Sequence, residues 1–168
     1  MHIETKRLSI VPFTLDMAKD VHLNSLDPDT RRFLPDEVFE TVEEAAETLS
    51  FLMSVYENGD GPLVYPFLLK DGSNAGYVQA VPVDNGEWEI GYHTGKHYTG
   101  HGYATEAIKA FLPVIMDHLQ IDHIYGVCLA DNAASVRVLE KCGFERIFDG
   151  ISNYQDKNTH VVKYLFTR

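Results

Sequence analysis

Thiols are scarce in this chain: Cys128 and Cys142 are its only cysteines. Two thiols cannot build a disulfide framework or a four-thiolate metal site, so a reducing, cytoplasmic setting is expected. Basic residues are few as well, 14 Lys and Arg against 25 Asp and Glu, for a net charge of −11. That balance argues against a nucleic-acid surface, which needs a basic patch. It favours amine-bearing or cationic partners by electrostatic steering, though excess acid also serves plain solubility. Long apolar runs are missing. Leu63–Leu69 is among the longest, far short of the ~20 residues of a membrane span. Met1–Arg7 is not followed by an apolar segment, so no signal peptide is expected. His2, His22, His101, His118, His123 and His160 are scattered without a close pair on one helical face, so no metal site is expected. No linker, repeat or low-complexity stretch interrupts the chain. With 168 residues and 45% hydrophobic content, residues 1–168 read as a single globular domain.

Strand and helix signals alternate from end to end. Arg7–Pro12 alternates apolar and polar residues and reads as a first strand, stopped by Pro12. Thr14 is placed to cap a short helix to about Ser25, with Leu15, Ala18, Val21 and Leu26 turned inward. Leu26–Glu40 is rich in Pro and Asp and reads as a loop or a broken helix. Thr41 and Glu44 form a capping box before a helix with Val42, Ala45, Ala46, Leu49, Leu52, Met53 and Tyr56 on one face. Asn58-Gly59 ends it. Strands are expected at Leu63–Leu69, Ala75–Val83 and Glu87–His93, the last two joined by Asp84-Asn85-Gly86, a strong hairpin signal. A helix from about Gly102 to Leu119, a strand at His123–Leu129 and a helix at Asn132–Cys142 follow. Gly143 suits the left-handed residue past a helix end. Phe144–Phe148 and His160–Thr167 read as the last strands. The order implies an α/β fold, a mixed sheet with helices packed on it.

The segment from His97 to Ala107 carries the most chemistry. It lies between a strand and a helix, and Gly100 and Gly102 stand one residue apart. Glycines let backbone approach a ligand closely. The free N–H groups of the following helix's first turn then favour a phosphate. The segment lacks the Gly-Lys-Ser/Thr of a nucleotide phosphate loop, and Thr105 stands where a dinucleotide fingerprint wants its third small residue. By itself the pair of glycines also suits an ordinary strand-to-helix turn. A second segment opens with Asn132 and Ser135 and closes with Glu140-Lys141-Cys142-Gly143-Phe144. Asn132 is a good N-cap, and Ser135 sits in the first turn.

Taken in order, these segments resemble the GNAT superfamily of acyl-CoA-dependent N-acetyltransferases. Within it the chain resembles the Rim branch, the ribosomal-protein N-terminal acetyltransferases. Glu4-Thr5-Lys6-Arg7-Leu8 resembles the branch's opening strand, Glu89-Ile90-Gly91-Tyr92 its central strand, and Gly100–Ala107 its pyrophosphate loop. Asn132, Ser135 and Glu140–Phe144 resemble its second signature. The resemblance covers essentially the whole chain. It implies a mixed, V-splayed central sheet flanked by helices, with acetyl-CoA as cosubstrate in the gap between the strands at Glu89–His93 and His123–Leu129. Tyr92 would bind pantetheine through its backbone. His97, Tyr98, Gly100, His101, Gly102, Tyr103 and Ala104 would hold the pyrophosphate, and Asn132 and Ser135 would lie beside pantetheine and thiol. Two departures stand out. His97 replaces the usual Gln or Arg at the head of the loop. Leu139 stands where many relatives carry a tyrosine general acid, and the branch's proposed substitute is Ser135.

Acetyl transfer needs a neutral amine and a protonated leaving thiolate. A lysine-type amine is neutral in only about one molecule in 2,500 at pH 7, an α-amine in about one in ten. Glu87, Glu89, Gly91 and His93 share one side of their strand, and Trp88, Ile90 and Tyr92 the other. Glu89, beside the pantetheine stretch, is the first candidate base, directly or through water, and His93 the second. A solvated strand residue is the alternative for Glu89. No covalent enzyme intermediate is required, and both cysteines read as packing residues. The resemblance thus implies transfer from acetyl-CoA to a primary amine by direct attack in a ternary complex. A catalytically silent acyl-CoA binder or sensor is the alternative that Leu139 keeps open. Acceptors on a protein N-terminus and on small amines both stay open, as does a homodimer through sheet edges. No nucleic acid or membrane partner is expected.

Overall fold

The computed structural model describes residues 1–59 and 61–168. Its centre is one eight-stranded mixed sheet. The strands are β1 (Ile3–Glu4), β2 (Leu8–Ile10), β3 (Leu63–Leu69), β4 (Asn74–Pro82), β5 (Trp88–Thr94), β6 (His123–Leu129), β7 (Glu145–Tyr154) and β8 (Lys157–Thr167). Their spatial order is β1-β2-β3-β4-β5-β6-β8-β7. Every neighbouring pair is antiparallel except β5 and β6, which run parallel and are paired only at Glu89 and Tyr125. Beyond Glu89 the two strands part. The splay expected from the family resemblance is therefore present, and it falls where β5 carries Ile90–Thr94.

Among the described residues five α-helices cover the sheet: α1 (Ala18–Ser25), α2 (Pro28–Phe33), α3 (Val42–Asn58), α4 (Tyr103–Leu119) and α5 (Ala133–Lys141). On one face the main core joins Ala107, Ile108, Phe111 and Ile115 of α4 and Leu139 of α5 to Phe67, Val78, Ile90 and Ile124 of the sheet. On the other, Ala18 of α1 and Ala45, Leu49 and Leu52 of α3 pack with Phe13 and Val64. Burial of this apolar surface is the main driving force for the fold. The alternation along β5 follows from the two layers. Ile90 is buried in the α4 core, with Trp88 and Tyr92 against it, whereas His93 stacks on Tyr77 on the opposite face.

The capping box at α3 forms. Thr41 Oγ1 accepts from the Glu44 N–H at 3.1 Å, and Glu44 accepts from the Glu40 N–H at 2.8 Å, one residue upstream of the cap. Gly59 ends the helix at φ +74°. Several expectations need correction. Leu15 is 52% exposed rather than inward, because Leu15–Met17 forms a 3-10 turn before α1 and shifts the helical phase. The Leu26–Glu40 segment is not all loop. Asp27 caps α2 by accepting from the Asp29 and Thr30 N–H groups, both at 3.0 Å, and Pro35–Glu37 makes a 3-10 turn. β7 runs to Tyr154, well past the expected Phe148. The opening strand is divided, with a separate two-residue β1 before β2, which was not expected.

Candidate active site at the split in the sheet

One cavity of about 200 Å³ opens where β5 and β6 part. Val81, Glu89 and Gly91 line it from one face of the sheet and Ile90 and Tyr92 from the other. Val127, Cys128 and Leu129 of β6 form the far wall, with Asn132 and Ser135 of α5 above them. On the side of α2 the lining is Phe33, Leu34, Glu37, Gln79, Tyr154 and Gln155. The missing ladder bonds between the strands make an opening in the sheet, lined from both faces.

The loop before α4 has the geometry of an anion cradle. Gly100 has φ +80° and Gly102 φ +78°, a conformation other residues adopt only with strain. A Cβ at Gly100 would meet nothing within 4 Å, so this backbone is bare on its outer side. Gly102 is the N-cap of α4 and brings no side-chain cap. The helix's first N–H groups, which have no partner within the helix, are thus left for a ligand. These features fit the pyrophosphate of acetyl-CoA. Of the remaining loop residues, Tyr98 packs against the main core, His97 is exposed, and His101 stacks on Tyr103 with ring centroids 5.5 Å apart.

The N-terminal segment braces this loop, a role that spacing alone did not reveal. Glu106, in the first turn of α4, accepts from Thr5 Oγ1 at 2.7 Å, from the Arg7 N–H at 3.0 Å and from Arg7 Nε at 2.6 Å. Arg7 Nη1 donates to the His101 carbonyl at 2.8 Å, and the guanidinium lies 4.7 Å from the Tyr103 ring centroid. A planar fork that donates in two directions fixes loop and helix together. Arg7→Ala is expected to raise the acetyl-CoA KM by up to about tenfold, the value of one exposed charge-assisted bond, with kcat little changed. Initial rates at varied acetyl-CoA check this, and an unchanged KM would show that the loop stands without its brace.

Ser135 is held at the other end of the cavity. Asn132 Oδ1 accepts from the Ser135 N–H at 3.2 Å, which makes Asn132 the N-cap of α5. Ser135 Oγ lies 2.7 Å from the Tyr92 hydroxyl, which also donates to the Ser135 carbonyl at 3.0 Å. Tyr92 therefore presents its side chain to the site, whereas the sequence suggested only its backbone. Leu139 is 1% exposed and belongs to the core. The phenol that meets Ser135 comes from the facing strand, β5. Burial pushes the Tyr92 phenol up, and hydrogen bonding to Ser135 offsets part of this. It also pushes the Cys128 thiol up to about 11, so Cys128 is no ready nucleophile despite lining the cavity.

On the opposite side the two candidate bases separate. Glu89 lines the cavity; burial pushes its carboxyl up and Lys163 pulls it partly back. His93 is not among the cavity's lining residues. Its Nε2 meets Thr30 Oγ1 at 2.7 Å and lies 3.8 Å from Asp27. It anchors the start of α2, and burial pushes its imidazole down against the pull of Asp27. A carboxylate not singled out for catalysis stands in its stead. Glu37 lines the cavity and accepts from Gln79 Nε2 at 3.4 Å. Gln79 fills the space left by Gly91, where a Cβ would sit 2.6 Å from its Nε2. The tip of the β7–β8 hairpin closes the same side, with Gln155 Nε2 donating to the Phe33 carbonyl at 3.3 Å.

Residues 7–145 match the family described as the Acetyltransferase (GNAT) domain, and the chain belongs to that family. It is similar to the uncharacterized N-acetyltransferase YnaD of Bacillus subtilis, 29% identical over 148 residues, which cover 87% of this chain and 84% of that one. A GNAT acetyltransferase from Bacillus anthracis shares the fold at TM-score 0.84 and 24% identity, covering 99% of this chain and 98% of that one. RimL, a ribosomal L7/L12 alpha-N-protein acetyltransferase solved with coenzyme A, also superposes at TM-score 0.84, with 18% identity and 99% and 98% coverage. The chain is thus an acyltransferase, and its structural neighbours include the Rim type named by the sequence resemblance. No helix among the described residues is long and apolar enough to cross a membrane.

Proposed function

We propose that this protein transfers the acetyl group of acetyl-CoA directly to a primary amine within a ternary complex. The observation that carries this reading is the cavity through the split sheet. Acetyl-CoA enters along the Gly100–Ala104 loop and the start of α5, and its thioester reaches the opening beside Ser135. The amine enters from the side of α2 and the β7–β8 hairpin. As the C–N bond forms, Glu89 takes a proton from the nitrogen, directly or through a water. The Ser135 hydroxyl, hydrogen-bonded to Tyr92, gives its proton to the departing thiolate and is reprotonated, through water, by the proton that Glu89 took. Both cysteine thiols are pushed up to about 11, which disfavours an acyl-cysteine and supports direct attack.

Phe33 and Tyr154 bring aromatic surface to the acceptor side, and Glu37 and Glu89 bring acid. A protein α-amine and a small cationic amine both suit that lining. One structural neighbour is described as modifying the N-terminal serine of ribosomal protein L7/L12, so an N-terminal peptide belongs among the acceptors tried. The test is CoA release over peptide α-amines, polyamines, amino sugars and amino acids, with mass detection of the product. Acetylation of at least one amine is expected. Tight acetyl-CoA binding with no product on a broad panel would favour a silent binder. Ser135→Ala should cut kcat by about 10²–10³-fold, the effect of losing one transition-state hydrogen bond, while acetyl-CoA affinity falls much less. Equal losses in both would make Ser135 a binding residue.

A further inference from the structure

Acetylation removes two protons from the acceptor nitrogen and returns one to sulfur. In full, R–NH3⁺ and CH3CO–S–CoA give R–NH–COCH3, HS–CoA and H⁺. The first proton leaves the ammonium before attack, because a protonated amine has no lone pair. The second leaves as the C–N bond forms and the C–S bond breaks. The second passes from Glu89 to Ser135 as Ser135 protonates the thiolate, and the first has no destination among these residues. We propose that Glu37 is a second catalytic carboxylate, which accepts the first proton from the bound ammonium and passes it to solvent, with Gln79 as its positioning residue. This rests on the acetyl-transfer reading of the cavity and adds a residue to it.

The placement comes from three elements. The 3-10 turn Pro35–Glu37 carries the carboxylate into the cavity that Glu89 also lines. Gln79 of β4 holds it at 3.4 Å and is itself fitted over Gly91, its cross-strand partner. The charged and titratable groups around Glu37 are Asp36 in its own turn, Tyr77 on β4, Glu89, Tyr92 and His93 on β5, Cys128 on β6 and Tyr154 on β7. Nearby cations are engaged elsewhere: Arg31 pairs with Glu40, Arg32 with Asp131, and Lys163 acts on Glu89. With the carboxyl largely removed from water and no cation to offset the loss, burial pushes Glu37 up to about 7. A carboxylate so raised is a far better proton acceptor than an ordinary glutamate near neutral pH. Below about pH 7 it carries a proton and cannot accept another; above, it is ionised and competent.

The test is kcat/KM for the best acceptor against pH, in wild type, Glu37→Gln, Glu89→Gln and Gln79→Met, with acetyl-CoA affinity measured for each. The wild type should show a limb near pH 7 that falls on the acid side. Glu37→Gln should remove that limb and lower the rate at pH 7 by about 10²-fold, the low end for a lost acid–base group. Its deficit should shrink above the amine's own pKa, where the acceptor arrives neutral. Glu89→Gln should keep the limb. Gln79→Met removes a hydrogen bond that favours the ionised carboxylate, so the limb should move to higher pH. Acetyl-CoA affinity should stay unchanged throughout. A Glu37→Gln profile that keeps its limb, or a deficit equal at every pH, overturns the role of Glu37. A wild type that acetylates nothing contradicts the acetyl-transfer reading, and this role with it; wild-type turnover with an unaltered Glu37→Gln profile contradicts Glu37 alone.

Discussion

Glu89→Gln is expected to lower the acetylation rate by about 10²–10⁴-fold, the range for a lost acid–base group. Glutamine keeps the size and hydrogen-bonding reach of glutamate but cannot take a proton. Glu89 sits at the paired position of β5 before the split and lines the opening, where the proposed reaction would bring nitrogen and thioester together. Because its proton leaves the nitrogen during attack, the deficit should persist above the amine's own pKa. The acid side follows from the direction of its shift. Burial raises the Glu89 carboxyl, so lowering pH protonates it earlier than an ordinary glutamate and inactivates the wild type. Acetyl-CoA affinity should be unchanged. Rates by CoA release over a range of pH check this. A Gln variant with near-native rate and an unchanged profile would remove Glu89 from the mechanism.

Gly102→Val is expected to weaken acetyl-CoA binding by about 10²-fold, equivalent to one or two charge-assisted hydrogen bonds at ~1.5–3 kcal/mol each. At φ +78° a β-branched residue is badly strained, so the loop would rearrange and its N–H groups would lose their aim. Steric clash is not the cause, since a Cβ there meets only Arg7 Nη2, at 3.6 Å. The core face of α4, Ala107, Ile108, Phe111 and Ile115, lies further along the helix and stays buried. The fold should survive, with near-native circular dichroism. Titration calorimetry reads the affinity, and equal dissociation constants for mutant and wild type would refute the phosphate role of the loop.

The legible parts of the fold were those with a local physical cause. Leu63–Leu69 and His123–Leu129 match their strands residue for residue. Thr41 and Gly59 bound α3 as their chemistry demands. At Asp84–Gly86 the hairpin turns with Asn85 and Gly86 both at positive φ. Elements that run past their expected bounds, or were not expected, lack such a cause. β7 is largely exposed along its length, so no alternation marks it, and its turn uses Gln155 and Asp156 at φ +51° and +60° instead of glycine. β1 has two residues, too few for any period. α2 has six, and its Asp27 cap and Pro28 looked like loop composition.

The site divides in the same way. Gly100, Gly102, Asn132 and Ser135 lie in contiguous motifs, and Glu89 follows from alternation along one strand. Glu37 enters the cavity from 52 positions before Glu89, and only tertiary packing buries it. Its sequence trace was slight: acid in a Pro- and Asp-rich segment. The Tyr92 hydroxyl meets Ser135 across 43 positions, a contact no spacing rule predicts. His93 shares the face of Glu89, but α2 folds over it and claims its ring.

The central claim is that the acetyl group passes straight from CoA to an amine across the opening in the sheet. Its most direct test is a single turnover, with enzyme in excess over acetyl-CoA, quenched at intervals and read by mass for protein and small molecules together. With the best acceptor present, acetylated amine and free CoA should appear at the same rate, and the protein mass should not change. Without acceptor, acetyl-CoA should persist. A protein that gains one acetyl group before product appears, or that binds acetyl-CoA yet forms no acetylated amine, would contradict the account.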